Sequence, residues 1–435
     1  MSLESTVVVV GLGYIGLPTA AILASHGVRV TGVDVNPRHV EAVSRGEVPF
    51  VEPDLSDHVE RAVASGALTA QATVPPADVF IVAVPTPFAD NHSADLSYID
   101  AAMAAIAGVL RGGELVILES TSPPGTTGRM ASHLGLLRPD LLTPEGELTV
   151  EFAHCPERVL PGRIMTELVT NDRIVGGVTP AAAARAANLY AVFCRGEVHL
   201  TDARTAELAK LVENSFRDVN IAFANELSLI CERLHVDVWE LIDLANKHPR
   251  VNILSPGPGV GGHCIAVDPW FIVSAAPMES RLIRTAREVN DSKPGHVVQR
   301  VAEHAARLRD PVIALLGLAF KADIDDLRES PALQIAAEVA QTVPGARLLA
   351  VEPHIEQLPP GLASFDSVRL TSAEEALAVA DIVVLLVDHR QFRSIDPATL
   401  AEKVVVDTRG LWSQAQSLAG APRGLADARQ LVAAT

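Results

Sequence analysis

The residue best suited to chemistry in this chain is Cys264, which follows a loop crowded with glycine and proline. Residues 255–262 read Ser-Pro-Gly-Pro-Gly-Val-Gly-Gly, and an acid, Asp268, lies four residues beyond the cysteine. Glycine lets a backbone approach a ligand closely, and proline stiffens the loop. A thiol presented there can be reached by substrate and can act as a nucleophile, with Asp268 near enough to serve the same site. The alternative is a glycine-rich turn beside an incidental buried cysteine.

A second chemical pattern, near the N-terminus, is suited to binding a dinucleotide. The apolar run 7–10 predicts a buried parallel strand, and it leads into a turn with Gly11, Gly13 and Gly16. An Ala-rich helical stretch and a second strand follow, and that strand ends at Asp34. Strand, glycine turn, helix, strand and acid are the required context of the dinucleotide fingerprint. The helix N-terminus offers N–H groups to phosphates, and an acid at position 34 would repel a 2′-phosphate, so NAD is predicted rather than NADP.

Three threonines stand at the carboxyl ends of two further predicted strands. Thr86 follows the strand at 79–84, and Thr121 and Thr127 follow the strand at 115–118. Ligands of an open parallel sheet bind beyond these ends, so the hydroxyls are candidates for contacts with cofactor or substrate. Capping of the following helices is an equally good interpretation for any one of them.

A predicted helix of about 30 residues, from 205 to 234, carries Lys210, Asn214 and Arg217 on one face. A cation with an amide one turn on suits anchoring and polarising an oxygen, although a solvated polar stripe is the alternative. His248 and Arg250 precede the Cys264 loop and are candidates for a phosphate or a sugar, or surface charges.

These residues need a large scaffold, and the 435-residue chain is long enough for two or three domains. After the long helix, strands predicted at 311–316, 347–351, 382–387 and 404–406 indicate a second β/α set. We therefore expect an α/β fold with two Rossmann-like, doubly wound parallel-sheet domains joined by a long central helix. The expected domains are 1–200 for NAD, 201–294 for the central helices and the cysteine loop, and 295–435 for a second Rossmann-like domain.

Composition argues against several kinds of partner. A net charge of −18 argues against nucleic acid, because phosphates need a basic surface. The four cysteines lie far apart, so no Cys-x-x-Cys pattern exists and no metal site is predicted. The N-terminus lacks the order of a signal peptide, and no apolar run reaches the ~18 residues of a membrane span. The expected location is the cytoplasm.

A series of motifs, in order along nearly the whole chain, together resembles the UDP-glucose/GDP-mannose dehydrogenase family. They are Gly-Leu-Gly-Tyr-Ile-Gly-Leu-Pro at 11–18, Val-Pro-Thr-Pro at 84–87, Cys-Pro-Glu-Arg-Val-Leu-Pro-Gly at 155–162, Thr-Ala-Glu-Leu-Ala-Lys-Leu-Val-Glu-Asn-Ser-Phe-Arg at 205–217, Gly-Val-Gly-Gly-His-Cys-Ile-Ala-Val-Asp-Pro-Trp-Phe at 259–271, Gly-Leu-Ala-Phe-Lys at 317–321 and Arg-Glu-Ser-Pro at 328–331. The resemblance implies oxidation of a sugar C6 alcohol to a carboxylate with two NAD per turnover. It also implies a homodimer built on the central helix and a C-terminal domain that covers UDP.

The same resemblance implies roles for individual residues. Cys264 would trap the aldehyde as a thiohemiacetal, which a second oxidation converts to a thioester that water hydrolyses. The implied catalytic residues are Cys264, Lys210, Asp268, Asn214, Thr121 and Glu157. The implied NAD contacts are Gly11, Gly13, Tyr14, Ile15, Gly16, Asp34, Thr86, Thr127 and Arg328. The implied substrate contacts are Arg158, Val159, Lys210, Asn214, Arg217, His248, Arg250, Gly261, Lys321 and Arg409.

One departure from the family pattern bears on the sugar. UDP-glucose members usually carry Pro-Lys-Asp after the cysteine and one bulky residue, whereas this chain has Ala266-Val267-Asp268 there, and His263 before the cysteine. The missing lysine favours an N-acetylated sugar, UDP-N-acetyl-D-mannosamine first, with the N-acetylglucosamine, N-acetylgalactosamine and glucose nucleotides as alternatives. Two rival functions are a β-hydroxyacid-type dehydrogenase that makes one oxidation and a non-catalytic NAD-binding regulator.

Overall fold

The structure, a computed structural model, describes residues 5–50, 52–87, 92–160, 162–262 and 264–412. The chain divides into two compact units. The first comprises the described residues up to Asn214 together with Trp270–Glu279, and the second comprises Ser215–Pro269 and the described residues from Ser280 onward.

The first unit is built on an eight-stranded sheet of order β3-β2-β1-β4-β5-β6-β7-β8. Its strands pair in parallel except β6 and β7, which are antiparallel through two residue pairs. The prediction of a parallel sheet is confirmed with this one exception. The strands are β1 Thr6–Val10, β2 Arg29–Val33, β3 Leu68–Gln71, β4 Val79–Val82, β5 Leu115–Leu118, β6 Glu151–His154, β7 Arg173–Gly177 and β8 Val198–Asp202.

Helices cover both faces of this sheet, as the uninterrupted apolar run in β1 requires. Val7 and Val9 belong to one buried apolar cluster, whereas Val8 and Val10 belong to another. Successive side chains of a strand point to opposite faces, so both faces of β1 are packed. The helices of this part are α1 Gly16–Ser25, α2 Pro37–Ser44, α3 Leu55–Ala64, α4 Ser97–Ala107, α5 Thr126–Leu137, α6 Ile164–Thr170 and α7 Pro180–Tyr190.

The long helix is confirmed as α8, Ala203–Leu234, with 32 residues. At about 1.5 Å per residue it is about 48 Å long. The boundary between the two compact units falls within it. The next helices are α9 Val238–Ala245, α10 Asp268–Ala275 and α11 Arg281–Ala305. Among the described residues, no helix combines the length and the apolar character needed to cross a membrane.

The second unit contains a five-stranded, all-parallel sheet of order β11-β10-β9-β12-β13. Alternate residues of β9 again enter two different apolar clusters, so this sheet is also packed on both faces. The second Rossmann-like domain predicted from the sequence is therefore confirmed. Its elements are β9 Val312–Leu316, α12 Pro331–Thr342, β10 Arg347–Val351, α13 Pro360–Ala363, β11 Val368–Leu370, α14 Ala373–Val379, β12 Ile382–Leu385 and β13 Val404–Asp407.

Candidate active site

The glycine turn between β1 and α1 has the shape that a dinucleotide requires. Gly11 adopts φ +99°, and a Cβ there would lie 2.4 Å from the Ala83 carbonyl oxygen. A Cβ on Gly16 would lie 1.9 Å from the Gly11 carbonyl oxygen. Gly13 differs, because a Cβ there would meet no atom within 4 Å. Two glycines are thus needed for packing, whereas Gly13 leaves open space for a pyrophosphate to approach the backbone. The residues present fit NAD.

Asp34 ends β2 beside this turn, as predicted. Its carboxylate accepts the N–H groups of Leu12 and Asn36, both at 2.8 Å, and lies 3.3 Å from Nδ1 of His39. The acid therefore ties the turn to the second strand and remains partly exposed. Of the other NAD contacts implied by the resemblance, Tyr14 is exposed and its ring stacks on Phe50 at 4.2 Å, while Ile15 is the N-cap residue of α1.

The second unit repeats this turn with a different outcome. Gly317 follows β9 with φ +91° and donates its N–H to the Val351 carbonyl, as Gly11 does to Val33. Glu352 stands where Asp34 stands in the first unit, and it accepts the N–H groups of Leu318 at 2.7 Å and Ala319 at 3.1 Å. However, α12 begins only at Pro331, so a long segment replaces the tight phosphate turn.

A buried histidine, His389, contacts the carboxylate of Glu352 and so occupies the side on which a ribose would bind. His389 lies 3.0 Å from Glu352 through Nε2, while its Nδ1 accepts the N–H of Asp323 at 3.0 Å. Nε2 therefore carries the proton and donates a hydrogen bond to the Glu352 carboxylate. Asp323, His354 and His389 bring ligand-type atoms within 4.8 Å of one another. The Nδ1 lone pair of His389 is used by the backbone, so the geometry favours a structural link over a metal site.

The three threonines have different surroundings in the first unit. Thr86 donates its hydroxyl to the Thr121 carbonyl at 2.6 Å, so the ends of β4 and β5 are brought together. The hydroxyl of Thr127 donates to Glu207 on α8 at 2.6 Å, and the same carboxylate accepts the N–H groups of Gly125 and Thr127. Glu207 therefore caps the N-terminus of α5. Burial raises the pKa of Glu207. Sequence reasoning missed this residue, and the role of Thr127 toward NAD stays a prediction.

The segment after β6 places Glu157 and Arg158 in different settings. Both oxygens of Glu157, a buried residue, accept hydrogen bonds, one from the Arg158 N–H at 2.7 Å and one from the Arg173 guanidinium at 3.5 Å. Arg158 forms a salt bridge of 2.7 Å with Glu213 on α8, one residue from Asn214. Val159 packs half-buried against the apolar core of the unit. The segment is therefore fixed to the sheet and to α8. A surface turn with a solvated ion pair would lack these contacts.

A buried polar cluster behind Glu157 was not foreseen. Glu119 accepts the Tyr190 hydroxyl at 2.7 Å and the Thr19 hydroxyl at 3.1 Å. Burial, with the charge of Glu157 next, raises the pKa of Glu119 to about 7. The Arg173 guanidinium lies 4.8 Å from the centroid of the Tyr190 ring, a cation–π contact. No sequence signal beyond an acid at a strand end pointed to this cluster.

The polar residues expected on the long helix differ in exposure. Lys210 is half-buried, Asn214 is buried and Arg217 is exposed. His248 and Arg250 are also exposed, and the segment that contains them is closed by Asn246. The side chain of Asn246 accepts the N–H of Ile253 at 2.7 Å and donates to its carbonyl at 3.0 Å.

Cys264 is exposed, so the interpretation of an incidental buried cysteine is excluded. The N–H of Asp268 donates to the Cys264 carbonyl at 2.8 Å, which closes one turn between the two residues at the start of α10. Cys155 is different, because burial raises the pKa of its thiol to about 12. An accessible thiol, unlike a buried one, is available for nucleophilic attack. His263 lies outside the described residues.

Within the second unit, the loop before Cys264 packs against the segment that follows β9. A Cβ on Gly261 would lie 2.3 Å from the Glu329 carbonyl oxygen, and one on Gly257 would lie 2.8 Å from Nη1 of Arg409. Arg409 also donates to Asp388 at 2.9 Å. Lys321 is exposed in the same segment, and Arg328 is exposed and pairs with Asp326. The structure therefore places Arg409, a predicted substrate residue, against the cysteine loop, which itself contains the predicted substrate residue Gly261.

Comparison with known proteins agrees with this arrangement. Residues 5–194, 204–292 and 314–414 match the NAD binding, central and UDP binding domains of the UDP-glucose/GDP-mannose dehydrogenase family. A relative from Ralstonia nicotianae, named NDP-N-acetyl-D-galactosaminuronic acid dehydrogenase, is 59% identical over 94% of this chain and 96% of its own length. A relative from Escherichia coli K12, named UDP-N-acetyl-D-mannosamine dehydrogenase, is 55% identical over 94% of this chain and 99% of its own length.

A solved structure extends the likeness to three dimensions. The UDP-D-ManNAc dehydrogenase of Pyrococcus horikoshii matches with a TM-score of 0.83 and 39% identity, covering 93% of this chain and 96% of that one. Motifs, fold and relatives agree over nearly the full length. The chain therefore belongs to the UDP-glucose/GDP-mannose dehydrogenase family, a family of NAD-dependent nucleotide-sugar dehydrogenases.

Proposed function

We propose that this chain oxidises the C6 alcohol of UDP-N-acetyl-D-mannosamine to the carboxylate of the corresponding uronic acid, using two NAD. The observation that carries the proposal is the exposed Cys264 on a glycine loop that is packed, within one unit, against Arg409 and the segment bearing Lys321. A one-step dehydrogenase needs no such thiol. The names of the Escherichia coli and Pyrococcus horikoshii proteins support the choice of sugar.

NAD, held at the turn of Gly11, Gly13 and Gly16 with Asp34 at the ribose, would accept the hydride in each of the two oxidations. The thiolate of Cys264 adds to the aldehyde carbon, and the carbonyl oxygen takes a proton to give a thiohemiacetal. Loss of a hydride from that carbon, with the hydroxyl proton, leaves a thioester. Water then adds to it and releases the acid and the thiol. Covalent capture retains a reactive aldehyde and divides a difficult oxidation into easier steps.

The proposed proton and oxyanion groups are Lys210, Asn214 and Asp268. A cation and an amide donor stabilise the negative oxygen that develops when the thiolate or water adds. The N–H of Asp268 donates to the Cys264 carbonyl, so one backbone turn keeps these two residues close together. Glu157, whose two oxygens are fixed by hydrogen bonds, is suited together with Thr121 to orienting the attacking water.

The diphosphate and sugar are proposed to bind through cations and the cysteine loop. Arginine forms bidentate contacts with phosphate, whereas lysine acts as a point charge. Exposed basic groups in the second unit supply both kinds. The proposed substrate contacts are Arg158, Val159, Arg217, His248, Arg250, Gly261, Lys321 and Arg409.

A homodimer is proposed from the second-unit part of α8. Phe216, Phe223, Ile230 and Leu234 are exposed on it, with spacings of seven, seven and four residues. An apolar stripe with this period is typical of helices that pack against one another. Sedimentation at micromolar concentration should give about twice the chain mass, and a monomer would contradict this. The four cysteines form no disulfide in the described structure, which agrees with a reducing compartment, and we propose the cytoplasm.

The test is NADH formation across a panel of UDP- and GDP-sugars. We expect UDP-N-acetyl-D-mannosamine to be the best substrate, with two NADH per sugar consumed. C264A should abolish steady turnover while NAD and UDP-sugar binding persist, and C194A, which changes a half-buried thiol elsewhere, should retain activity. A ratio of one NADH per sugar would favour a one-step dehydrogenase, and unaltered sugars despite binding would favour a regulator.

A second sugar is favoured by one specific observation. The Ralstonia nicotianae relative, at 59% identity, carries a name that refers to N-acetyl-D-galactosaminuronic acid. UDP-N-acetyl-D-galactosamine is therefore the second candidate. If its kcat/KM in the same panel is higher than that of UDP-N-acetyl-D-mannosamine, it becomes the proposed substrate. The proposed chemistry is unchanged.

A further inference from the structure

A chain of buried polar side chains joins α8 to α11 in the second unit. Asp218 and Asn225 come from α8, Arg287 and Asn290 come from α11, and all four are almost completely buried. Arg287 donates to Asp218 at 2.5 Å, and Asn290 donates to the same carboxylate at 2.8 Å. Asn225 then donates through Nδ2 to Oδ1 of Asn290 at 2.8 Å. Most buried polar groups are paired, and each of these hydrogen bonds determines the role of the next side chain, although Oδ2 of Asp218 and Nε of Arg287 have no hydrogen-bond partner among the described residues.

The direction of these hydrogen bonds follows from the charge of Asp218. A guanidinium can only donate, so Asp218 must accept from Arg287. Asn290 must then turn its NH₂ toward Asp218 and its oxygen toward Asn225. That oxygen requires Asn225 to donate with its own NH₂, which leaves the Oδ1 of Asn225 facing away from the chain as an acceptor.

The acceptor at the end of the chain is used by the cysteine loop. The N–H of Gly257 donates to Oδ1 of Asn225 at 2.8 Å. Gly257 is also where the guanidinium of Arg409 lies against the loop. One hydrogen bond therefore fixes the start of the loop at the point where a proposed substrate residue contacts it.

We propose that Asn225 is a positioning residue for this enzyme, holding the Cys264 loop and the Arg409 contact through the N–H of Gly257. This inference rests on the proposed function of Cys264. Asn225 itself touches neither substrate nor cofactor in this proposal, and it acts through the loop.

Two nearly isosteric variants separate the loop contact from general packing. N225L removes the acceptor for Gly257 and the donor to Asn290. N225D, when its carboxyl is protonated, keeps both, because C=O accepts and O–H donates. N220A is the matched control, since Asn220 lies on the same helix and its side chain donates to the Phe216 carbonyl of that helix.

The readouts are kcat, KM for NAD, and hydrogen exchange of the peptide covering 253–262. N225L should lower kcat by about 10-fold or more, leave KM for NAD within about 2-fold, and raise loop exchange while sheet peptides stay protected. N220A should match the wild type. The kcat of N225D should approach that of the wild type as pH falls from 9 to 6, whereas the kcat of N225L should not recover.

Charged groups near position 225 are Asp218, Arg287, Asp291, Lys293 and Arg409.

Burial lowers the pKa of Lys293 to about 8, and it donates to Ser228 one turn from Asn225. Every rate is therefore divided by the wild-type rate at the same pH, which removes this shared titration. Wild-type kcat and loop exchange in N225L, or equal behaviour of N225D and N225L at pH 6, would overturn the proposal. If the wild type shows no turnover, the proposed function fails, and hydrogen exchange alone still decides whether Asn225 holds the loop.

Discussion

The buried carboxyl of Glu119 gives a prediction whose magnitude follows from the structure. It lies at the end of β5, fully enclosed, with hydroxyl contacts from Tyr190 and Thr19. Burial is the largest cause that raises its pKa, to about 7 from an ordinary value of 4.5. E119Q replaces the neutral acid with an amide of the same shape. Its oxygen still accepts from Tyr190, and its NH₂ can donate to Thr19.

The sign follows from proton linkage. Between pH 4.5 and about 7 the unfolded chain has released this proton while the folded chain retains it. The stability that Glu119 contributes is therefore complete below pH 4.5 and is lost as pH rises to about 7. An interval of about 2.5 pH units corresponds to about 3 kcal/mol at ~1.36 kcal/mol per unit. The glutamine does not titrate, so E119Q should gain about 3 kcal/mol relative to the wild type between pH 4.5 and 8.

The assay is urea unfolding of both proteins at fixed concentration and several pH values. Trp270 lies in the first unit, whereas Trp239 and Trp412 lie in the second. With these two replaced by Phe in both proteins, the fluorescence comes from Trp270 and reports on the unit that contains Glu119. E145Q, at an exposed loop position, is the control. Its free energy of unfolding should stay within about 0.5 kcal/mol of the wild-type value at every pH. A difference between E119Q and wild type that is flat, or that shrinks as pH rises, would refute the reasoning.

Three further predictions concern the turn and the cysteine loop. G13A should raise KM for NAD at least about 10-fold without lowering Tm, because its Cβ meets no protein atom but enters the space expected for pyrophosphate; G295A, equally free of contacts, should leave KM unchanged. Iodoacetamide at pH 7.5 should label Cys264 and spare Cys155, whose buried thiol has a pKa of about 12, and peptide mass spectrometry would expose equal labelling. G261A should lower kcat about 10-fold or more, because its Cβ would lie 2.3 Å from a carbonyl oxygen and displace the loop; an unchanged kcat would contradict that packing.

The sequence was most informative where a pattern is local. The apolar runs of β1, β5 and β9 predicted strands buried on both faces. The spacing of Gly11, Gly13, Gly16 and Asp34 predicted the tight turn between β1 and α1 and the acid beside it. The absence of Pro and Gly over about 30 residues predicted α8 almost to its ends. The loop composition around Cys264 predicted an exposed thiol. Each of these rests on neighbours within one or two elements, which periodicity and turn chemistry can identify.

Contacts between distant parts of the chain could not be predicted in this way. Glu207 caps α5 from 80 positions away, and Asn290 meets Asp218 across 72 positions. The strands β3, β6, β7, β8 and β11 were also missed. β8 has no buried residue and lacks an apolar run, and β6 pairs antiparallel with β7 but parallel with β5. The environment of Glu119 likewise depends on three elements that meet only in the folded unit.

The most direct test of the central claim is to look for the sugar acid bound to Cys264 during turnover. Rapid acid quenching with UDP-N-acetyl-D-mannosamine and NAD, followed by peptide mass spectrometry, would detect the adduct. The account predicts an acyl group on the Cys264 peptide, removable by hydroxylamine as a thioester is, and two NADH per uronic acid formed. An unmodified Cys264 peptide under steady turnover, with an aldehyde product and one NADH per sugar, would contradict it.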